Sequence, residues 1–456
     1  MISGPTSTLD VPPAAPDKVA DTKVATANFV SIPSSSSSAP ASSGVPLVAE
    51  PSRGHPHLLS LCTAILLAGS LVTGGYFWAR DIQERRLHTA APEFCDAKLH
   101  GVALIREALS RPDTLVFFGS SELIPDVPMK GVDFFSDSPT GFSMFPVGKA
   151  GTTALSVLQK LGGAAEQLEG KKLVLSLSPS FFQTDEVDAK YFEGNSSKLQ
   201  IKEFFWSDRF SAELKRDVAL AILKYPKVIE GDWTLNFTLR RWAGGSSVDR
   251  FLLAIIQPYA TLDRMVGRLQ DHIEAGLALK GMVDNDGTAN DGAGQFRPKR
   301  GKVLKWDDLF LSAEQQSKAL AAKSRKRPIK VVRAKGTWDR QFAVKMRKAQ
   351  EWKDFELVLR LLQEAGAKPL VMSMPLHADI LEAQGVSETG RLAYGERLQE
   401  MVRRYAVPLV YFKDHESDPV FFVDQNDHIG SKGWWYYNKV LDDFYHDKLG
   451  KSALAK

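Results

Sequence analysis

EWKDFELVLRLLQEAGAKPLVMSM, residues 351–374, is the stretch that decides the fold. Trp352, Phe355, Leu359 and Leu362 recur at helical spacing, so the pattern predicts an amphipathic helix over Glu351–Ala365. Gly366 is a stop signal. Pro369–Met374 then reads as a buried strand ending at Pro375-Leu376-His377. The same unit repeats, with a helix over Leu392–Tyr405 and a strand over Pro408–Phe412. Two consecutive helix–strand units imply parallel strands joined by right-handed crossovers. The class is therefore α/β.

Moving toward the N-terminus, Lys171-Lys172 opens another strand, Leu173–Leu177, which ends in the small polar residues Ser178-Pro179-Ser180. Earlier still stands TLVFFGSSEL, residues 114–123. Leu115–Phe118 is short, bulky and apolar, the pattern of a strand buried on both faces. It breaks at Gly119 and presents a serine hydroxyl at the carboxyl end of a sheet, where doubly wound proteins place their ligands. If a helix follows, Ser121 sits near its N-terminus, where free N–H groups can stabilise an oxyanion. Taken alone, Gly-Ser-Ser-Glu reads more simply as an N-cap serine.

Glu93–Leu109 is expected to be a helix leading into this strand. After the serine turn, Val147–Thr153 carries Gly148 and Gly151, either turn residues or positions that let backbone approach a ligand. A helix bearing Leu155, Leu158 and Leu161 follows. No G-x-G-x-x-G or GK[ST] is present, so there is no dinucleotide or P-loop fingerprint. Thr184 to Leu279 has helical periodicity, with Trp206, Phe210, Leu214, Val218 and Ile222 as core contacts. We read about 184–340 as a helical insertion on the sheet. Asp284-Asn285-Asp286-Gly287 lies in the polar loop Gly281–Gly301. Its glycine comes early and no Glu closes a twelve-residue calcium loop, so it reads as solvated, with no metal. Basic Lys318–Lys335 lacks interleaved aromatics and reads as solvated surface or a headgroup contact.

With 456 residues, the chain suggests one large α/β domain plus extras. A formal charge of +4 argues against a dedicated nucleic-acid binder. Cys62 lies inside the most hydrophobic segment and Cys95 beyond it, so no disulfide is expected between them. Residues 1–53, rich in Pro, Ser, Ala and Val, read as a disordered tail. Leu58–Ala79 carries no charge, ends in Tyr76-Phe77-Trp78 and is closed by Arg80 and Asp81. At about 1.5 Å per residue it spans a hydrocarbon core of roughly 30 Å, with its aromatics as a headgroup belt. It is too long and too bulky at its end for a cleaved signal peptide. Basic residues flank it on both sides, leaving orientation open.

The serine needs an imidazole to take its proton, and the imidazole needs a carboxylate to hold its tautomer. FFVDQNDHIGSKGW, residues 421–434, offers both on one loop. Of nine histidines, His428 alone combines carboxylates within four residues upstream with a Gly/Trp-rich turn just after it. His377 is its rival and His415 a weaker one.

FFGSSEL, VGKAGTTAL, KKLVLSLSPSFF, FELVLRLLQEAGAKPLVMSMP and VDQNDHIGSKGWW together resemble the DltD family of teichoic-acid D-alanylation, membrane-anchored relatives of SGNH/GDSL-type hydrolases. The resemblance runs from the anchor to Asp443. It implies a three-layer α/β/α domain over 93–456, outside the membrane that Leu58–Ala79 crosses once. It also implies acyl transfer through a serine, no cofactor, and a membrane-bound O-acyltransferase partner in the same pathway. An acyl donor and a cell-envelope polymer would be the substrates. On the family pattern Ser121 is the nucleophile and His428 the general base. The family's acid lies three residues before its histidine, where this chain has Gln425. A one-residue insertion makes Asp424 the acid, with Asp427 the alternative. Oxyanion donors would be the Ser121 N–H and the backbone at Gly148 or Gly151, with Ser180 as an extra candidate. The expected activity is D-alanyl transfer or ester hydrolysis; the alternative is a non-catalytic scaffold that recruits a carrier protein or the O-acyltransferase.

Overall fold

The computed structural model describes residues 56–282, 301, 303–323, 329–425 and 428–450. Five short apolar runs form the strands β1 (Thr114–Phe118), β2 (Ser143–Val147), β3 (Lys172–Leu177), β4 (Lys368–Ser373) and β5 (Leu409–Tyr411). They pair in the order β2-β1-β3-β4-β5, and every pairing is parallel. The register sets Phe118 beside Val147 on one flank and Leu175 on the other, with Leu175 beside Val371.

Alternate side chains leave each strand on opposite faces, and both faces are covered. Val116, Phe118, Leu173, Leu175 and Val371 join a core made with the helices Ala103–Ser110, Ala154–Gly163, Gln350–Glu364 and Glu388–Arg404. Leu115, Phe117, Val174, Leu370 and Met372 join a second core with the helices Gly131–Asp137 and Ser431–Tyr445. All five residues of β1 are buried, as its composition predicts. The result is a three-layer α/β/α architecture.

Between β3 and β4 the described residues form helices and no strand. Phe210, Leu214, Val218 and Ile222 are buried there. Trp206 is half-buried and lies just past the end of the Lys198–Phe205 helix. The apparent four-residue repeat thus crosses a turn between two helices, after which the Ser211 hydroxyl accepts the Leu214 N–H at 3.1 Å and starts a new helix.

Two expectations change. The helix expected over Glu93–Leu109 is divided into Asp96–Leu99 and Ala103–Ser110. Asp271, from the long Ser247–Gly281 helix, accepts the N–H groups of Val102 and Ala103, each at 2.8 Å, and so begins the second piece. A carboxylate is favourable at a helix start. The other change concerns the turn after β1 and is taken up below.

The apolar segment forms one helix, Pro56–Arg86. It is long and apolar enough to cross a membrane, with a mean hydropathy of 1.9 in a window that is not buried. Past that stretch it packs on the Ser247–Gly281 helix, where the Gln83 side-chain amide donates to the His272 carbonyl at 2.8 Å. Cys62 and Cys95 are free thiols. Most of the Gly281–Gly301 loop lies outside the described residues, as does Asp427.

Candidate functional site

In a 2-1-3-4-5 sheet the chain leaves β1 to one side and later returns to the other. The crevice between the carboxyl ends of β1 and β3 is therefore a topological switch point, where ligands bind. The serine turn stands there. It is not the start of an α-helix: Ser121–Leu123 is a single 3-10 turn, and Pro125 lacks the N–H that a continuing helix would need.

The two serines differ sharply. Ser120 is only 2% exposed and forms no cap bond. Its hydroxyl accepts the Thr152 N–H at 3.1 Å and donates to the Lys149 carbonyl at 3.5 Å, tying the turn after β1 to the loop after β2. Ser121 is half-buried, and its hydroxyl bonds to none of the described residues.

The loop after β2 is pressed against this turn. A Cβ at Gly148 would lie 1.9 Å from the Gly119 carbonyl oxygen, so no other residue fits there unless backbone moves. Gly151 has φ +76°, and a Cβ on it would sit 2.2 Å from the Tyr191 ring. Thr152 Oγ1 accepts the Lys149 N–H at 3.0 Å. The buried Asn195 amide donates to the carbonyls of Tyr191, Gly151 and Ala150 at 2.8, 3.1 and 3.3 Å. With the carbonyls held back, the N–H groups of Gly148 and Gly151 bond to no described residue, and neither does that of Ser121. Ser180 is exposed, with its hydroxyl 2.7 Å from that of Ser178. Thr152 and Asn195 were not singled out in the sequence. Asn195 lies in the helical insertion, and no local pattern marks it.

Glu122, the acid of Gly-Ser-Ser-Glu, carries no local sign of the part it plays. It is fully buried, and its Oε2 accepts the Ser120 N–H at 3.0 Å. Burial pushes this carboxyl above its ordinary range, while the Ser176 hydroxyl, nearby N–H groups and the charge of His428 pull the other way. Glu122 follows Ser121 just past the end of β1, and His377, just past the end of β4, stacks on Phe422, six residues before His428, so the two loops lie at the same carboxyl edge of the sheet.

The histidine sits on a tight hairpin. Val423 N–H donates to the His428 carbonyl at 2.8 Å, Gly430 N–H to the Phe421 carbonyl at 2.7 Å, and Phe422 bridges Ile429. This curl sets His428 Nδ1 2.6 Å from Asp424 Oδ2, with the His428 N–H 3.4 Å from Asp424 Oδ1. No hydrogen bond joins the ring to the Ser121 hydroxyl. The rival histidines support the hairpin: His377 stacks on Phe422 at 4.6 Å, and His415 on Phe421 at 5.0 Å, with Asp418 3.7 Å away. Among the described residues no cluster of His, Cys, Asp and Glu is suited to hold a metal.

Fold and site together define a three-layer α/β/α protein with a serine turn and a carboxylate–imidazole pair at the carboxyl edge of its parallel sheet. The chain belongs to the DltD family, whose model, described as "DltD protein", matches residues 91–446. Protein DltD of Bacillus subtilis (strain 168) is 26% identical over 397 residues, covering 85% of this chain and 96% of that one. Protein DltD of Staphylococcus aureus (strain NCTC 8325 / PS 47) is 21% identical over 368 residues, covering 79% and 88%. Protein DltD of Lacticaseibacillus rhamnosus is 23% identical over 394 residues, covering 84% and 89%.

Proposed function

We propose that this protein is a membrane-anchored transferase of D-alanyl groups, working in teichoic-acid-type D-alanylation of a cell-envelope polymer through a Ser121 acyl-enzyme. The observation that carries the reading is the 2.6 Å contact between Asp424 and His428, on a hairpin at the same sheet edge as a turn whose second serine hydroxyl bonds to no described residue. His428 Nε2 removes the Ser121 proton as Oγ attacks the ester or thioester carbonyl. The tetrahedral oxyanion accepts from the free N–H groups of Ser121 and of Gly148 or Gly151, each typically worth a few kcal/mol. Collapse breaks the bond to the leaving group, which takes the proton from the imidazolium and departs. A polymer hydroxyl then loses its proton to His428, attacks the acyl-enzyme and frees Ser121. Asp424 holds the ring and stabilises its charged form. No cofactor enters these steps.

Water as the second nucleophile would make the same site an esterase. The Pro56–Arg86 helix favours transfer, because tethering raises the effective concentration of membrane-held donors and acceptors. In this reading the domain over 93–456 faces away from the cytoplasm, beside a membrane-bound O-acyltransferase. Intact-mass analysis of the full chain in detergent, after exposure to a D-alanyl thioester, should give a single adduct on Ser121. The adduct should be absent from Ser121→Ala and strongly reduced in His428→Ala. Full envelope esterification by cells carrying Ser121→Ala would defeat the catalytic reading and leave a recruiting scaffold.

A further inference from the structure

The 35-residue helix Ser247–Gly281 is apolar on two sides. Leu253, Ala260 and Ala275 are buried against the domain, as the inner face of a surface helix should be. On the other side Phe251, Ile255, Leu262 and Met265 follow at steps of four, seven and three residues, and each is between 59% and 66% exposed. Val248, Tyr259 and Val266 flank them and are at least half exposed. Together these side chains make a patch beyond the few hundred Å² at which the apolar patches of soluble monomers usually stop. No exposed carboxylate interrupts it. Asp249 and Asp263 are tied to Arg241 at 2.8 Å and to Lys202 at 2.7 Å, which leaves Arg250 as the exposed charge of the stretch 248–266. The exposed Trp233 sets its ring 5.3 Å from that of Tyr259 and widens the patch.

The stripe does not end at Met265. By steps of three or four it continues through Leu269 to His272, Gly276 and Lys280, where the Pro56–Arg86 helix covers it. The Tyr76 ring lies 5.1 Å from that of His272, a Cβ on Gly276 would lie 3.0 Å from Ala79, and Lys280 Nζ stands 5.9 Å from the centre of the Trp78 ring. Tyr76, Trp78 and Ala79 close the uncharged run read as the span, and its aromatics mark headgroup depth. The exposed stripe is thus the continuation of a face that begins at the bilayer surface. The helix itself cannot enter the hydrocarbon. Its opposite side carries the ion pairs of Asp249 and Asp263 and packs on the helices Lys198–Phe205 and Trp233–Gly244. One side alone is free for lipid, the arrangement of an interfacial helix.

We infer that the exposed face of Ser247–Gly281 rests in the headgroup region of the bilayer that Leu58–Ala79 crosses, giving the domain a second, monotopic lipid contact. This rests on the membrane-span reading and goes beyond it by fixing how the domain lies on the surface. Another protein is the competing occupant. Lipid is favoured because the face is continuous with the span and carries Trp233, Tyr259 and Arg250, residue types of membrane interfaces. The contact bears on the site. Asp271 of the same helix holds the start of Ala103–Ser110, and His100, just before that start, has Nε2 3.5 Å from Lys149 Nζ, beside Gly148.

The test uses the full-length chain with Cys62→Ser and Cys95→Ser, reconstituted in vesicles of phosphatidylglycerol and phosphatidylethanolamine. A fluorophore is placed on Leu66→Cys in the span or on Leu262→Cys in the stripe, both at exposed positions. It is quenched by nitroxide-bearing lipids or by iodide in the water. The Leu262 label is expected to lose emission about twofold or more to nitroxide at the headgroup, as for a helix about 5–10 Å into the headgroup/acyl boundary, and to be shielded from iodide. Adding Phe251→Asp and Ile255→Asp should remove most of that quenching while the Leu66 label keeps its own. Both aspartates replace exposed side chains, and a thermal melt verifies that the fold is kept. Lipid quenching at Leu66 but not at Leu262 overturns the inference and leaves the span standing. Shielding from iodide without lipid quenching assigns the stripe to a second copy and overturns it too. Unchanged quenching after the aspartate substitutions shows that the stripe is not what holds the helix there, a third refutation. If neither label meets lipid, the span reading fails and this inference falls with it.

Discussion

Asp424→Asn tests the arrangement most directly. The replacement keeps the size of the side chain but removes its charge and one acceptor from His428 Nδ1. The contact is short, 2.6 Å, yet the Asp424 side chain is 36% exposed and that of His428 19%. A hydrogen bond to a charged group is typically worth about 1.5–3 kcal/mol. At about 1.36 kcal/mol per decade of rate, the expected loss in acylation is about 10- to 150-fold. That is well below the ~10⁴-fold loss seen where the triad carboxylate is deeply buried, because water reaches this pair and partly replaces the lost partner. Stability should change by no more than about 1 kcal/mol, as for other solvent-accessible ion pairs. Single-turnover acylation of Ser121 by a D-alanyl thioester, read by intact mass beside a thermal melt, measures both quantities. A wild-type rate in Asp424→Asn, with the loss appearing in Asp427→Asn instead, would refute the assignment of the acid.

Ser120→Ala should destabilise the fold by about 0.5–1.5 kcal/mol, since the Thr152 N–H loses one of its two acceptors and keeps the Lys149 carbonyl at 3.1 Å, and should slow acylation with Ser121 intact; denaturant titration and the mass assay report the two effects. Gly148→Ala forces a Cβ to within 1.9 Å of the Gly119 carbonyl oxygen, so acylation should be lost even in protein that stays folded, as circular dichroism would verify. The raised carboxyls set a pH trend. Glu351 is held at about 8 against an ordinary 4.5, and Asp271 at about 6 against 3.8, both mainly by burial. Folded protein keeps these protons while the unfolded chain releases them. Their contribution is full below the unfolded values and is lost as pH rises toward 6 for Asp271 and 8 for Glu351. Urea midpoints measured across that range should therefore fall less steeply in Glu351→Gln than in wild type.

The sequence by itself determined whatever is written in neighbouring residues. Helical spacing over Glu351–Ala365, the apolar run before Gly119 and the stop at Gly366 are local signals, and the helix–strand alternation follows from them. The Asp424–His428 pair was legible for the same reason: carboxylate and imidazole stand four positions apart in the sequence, between Phe422 and Ile429, whose bridge closes that stretch on itself. Tertiary structure decided the rest. Ser120 is occupied because Thr152, 32 residues later, brings its N–H to that hydroxyl, whereas the Ser121 hydroxyl bonds to no described residue. The helix before β1 divides because Asp271, 169 residues from Val102, caps its second half. Glu351, read along the chain as the first residue of a surface-patterned helix, is buried against Ala154, 197 residues away. A hydrogen bond between distant segments imposes no periodicity on either one. Such bonds become visible only when the sheet has brought its strand ends together.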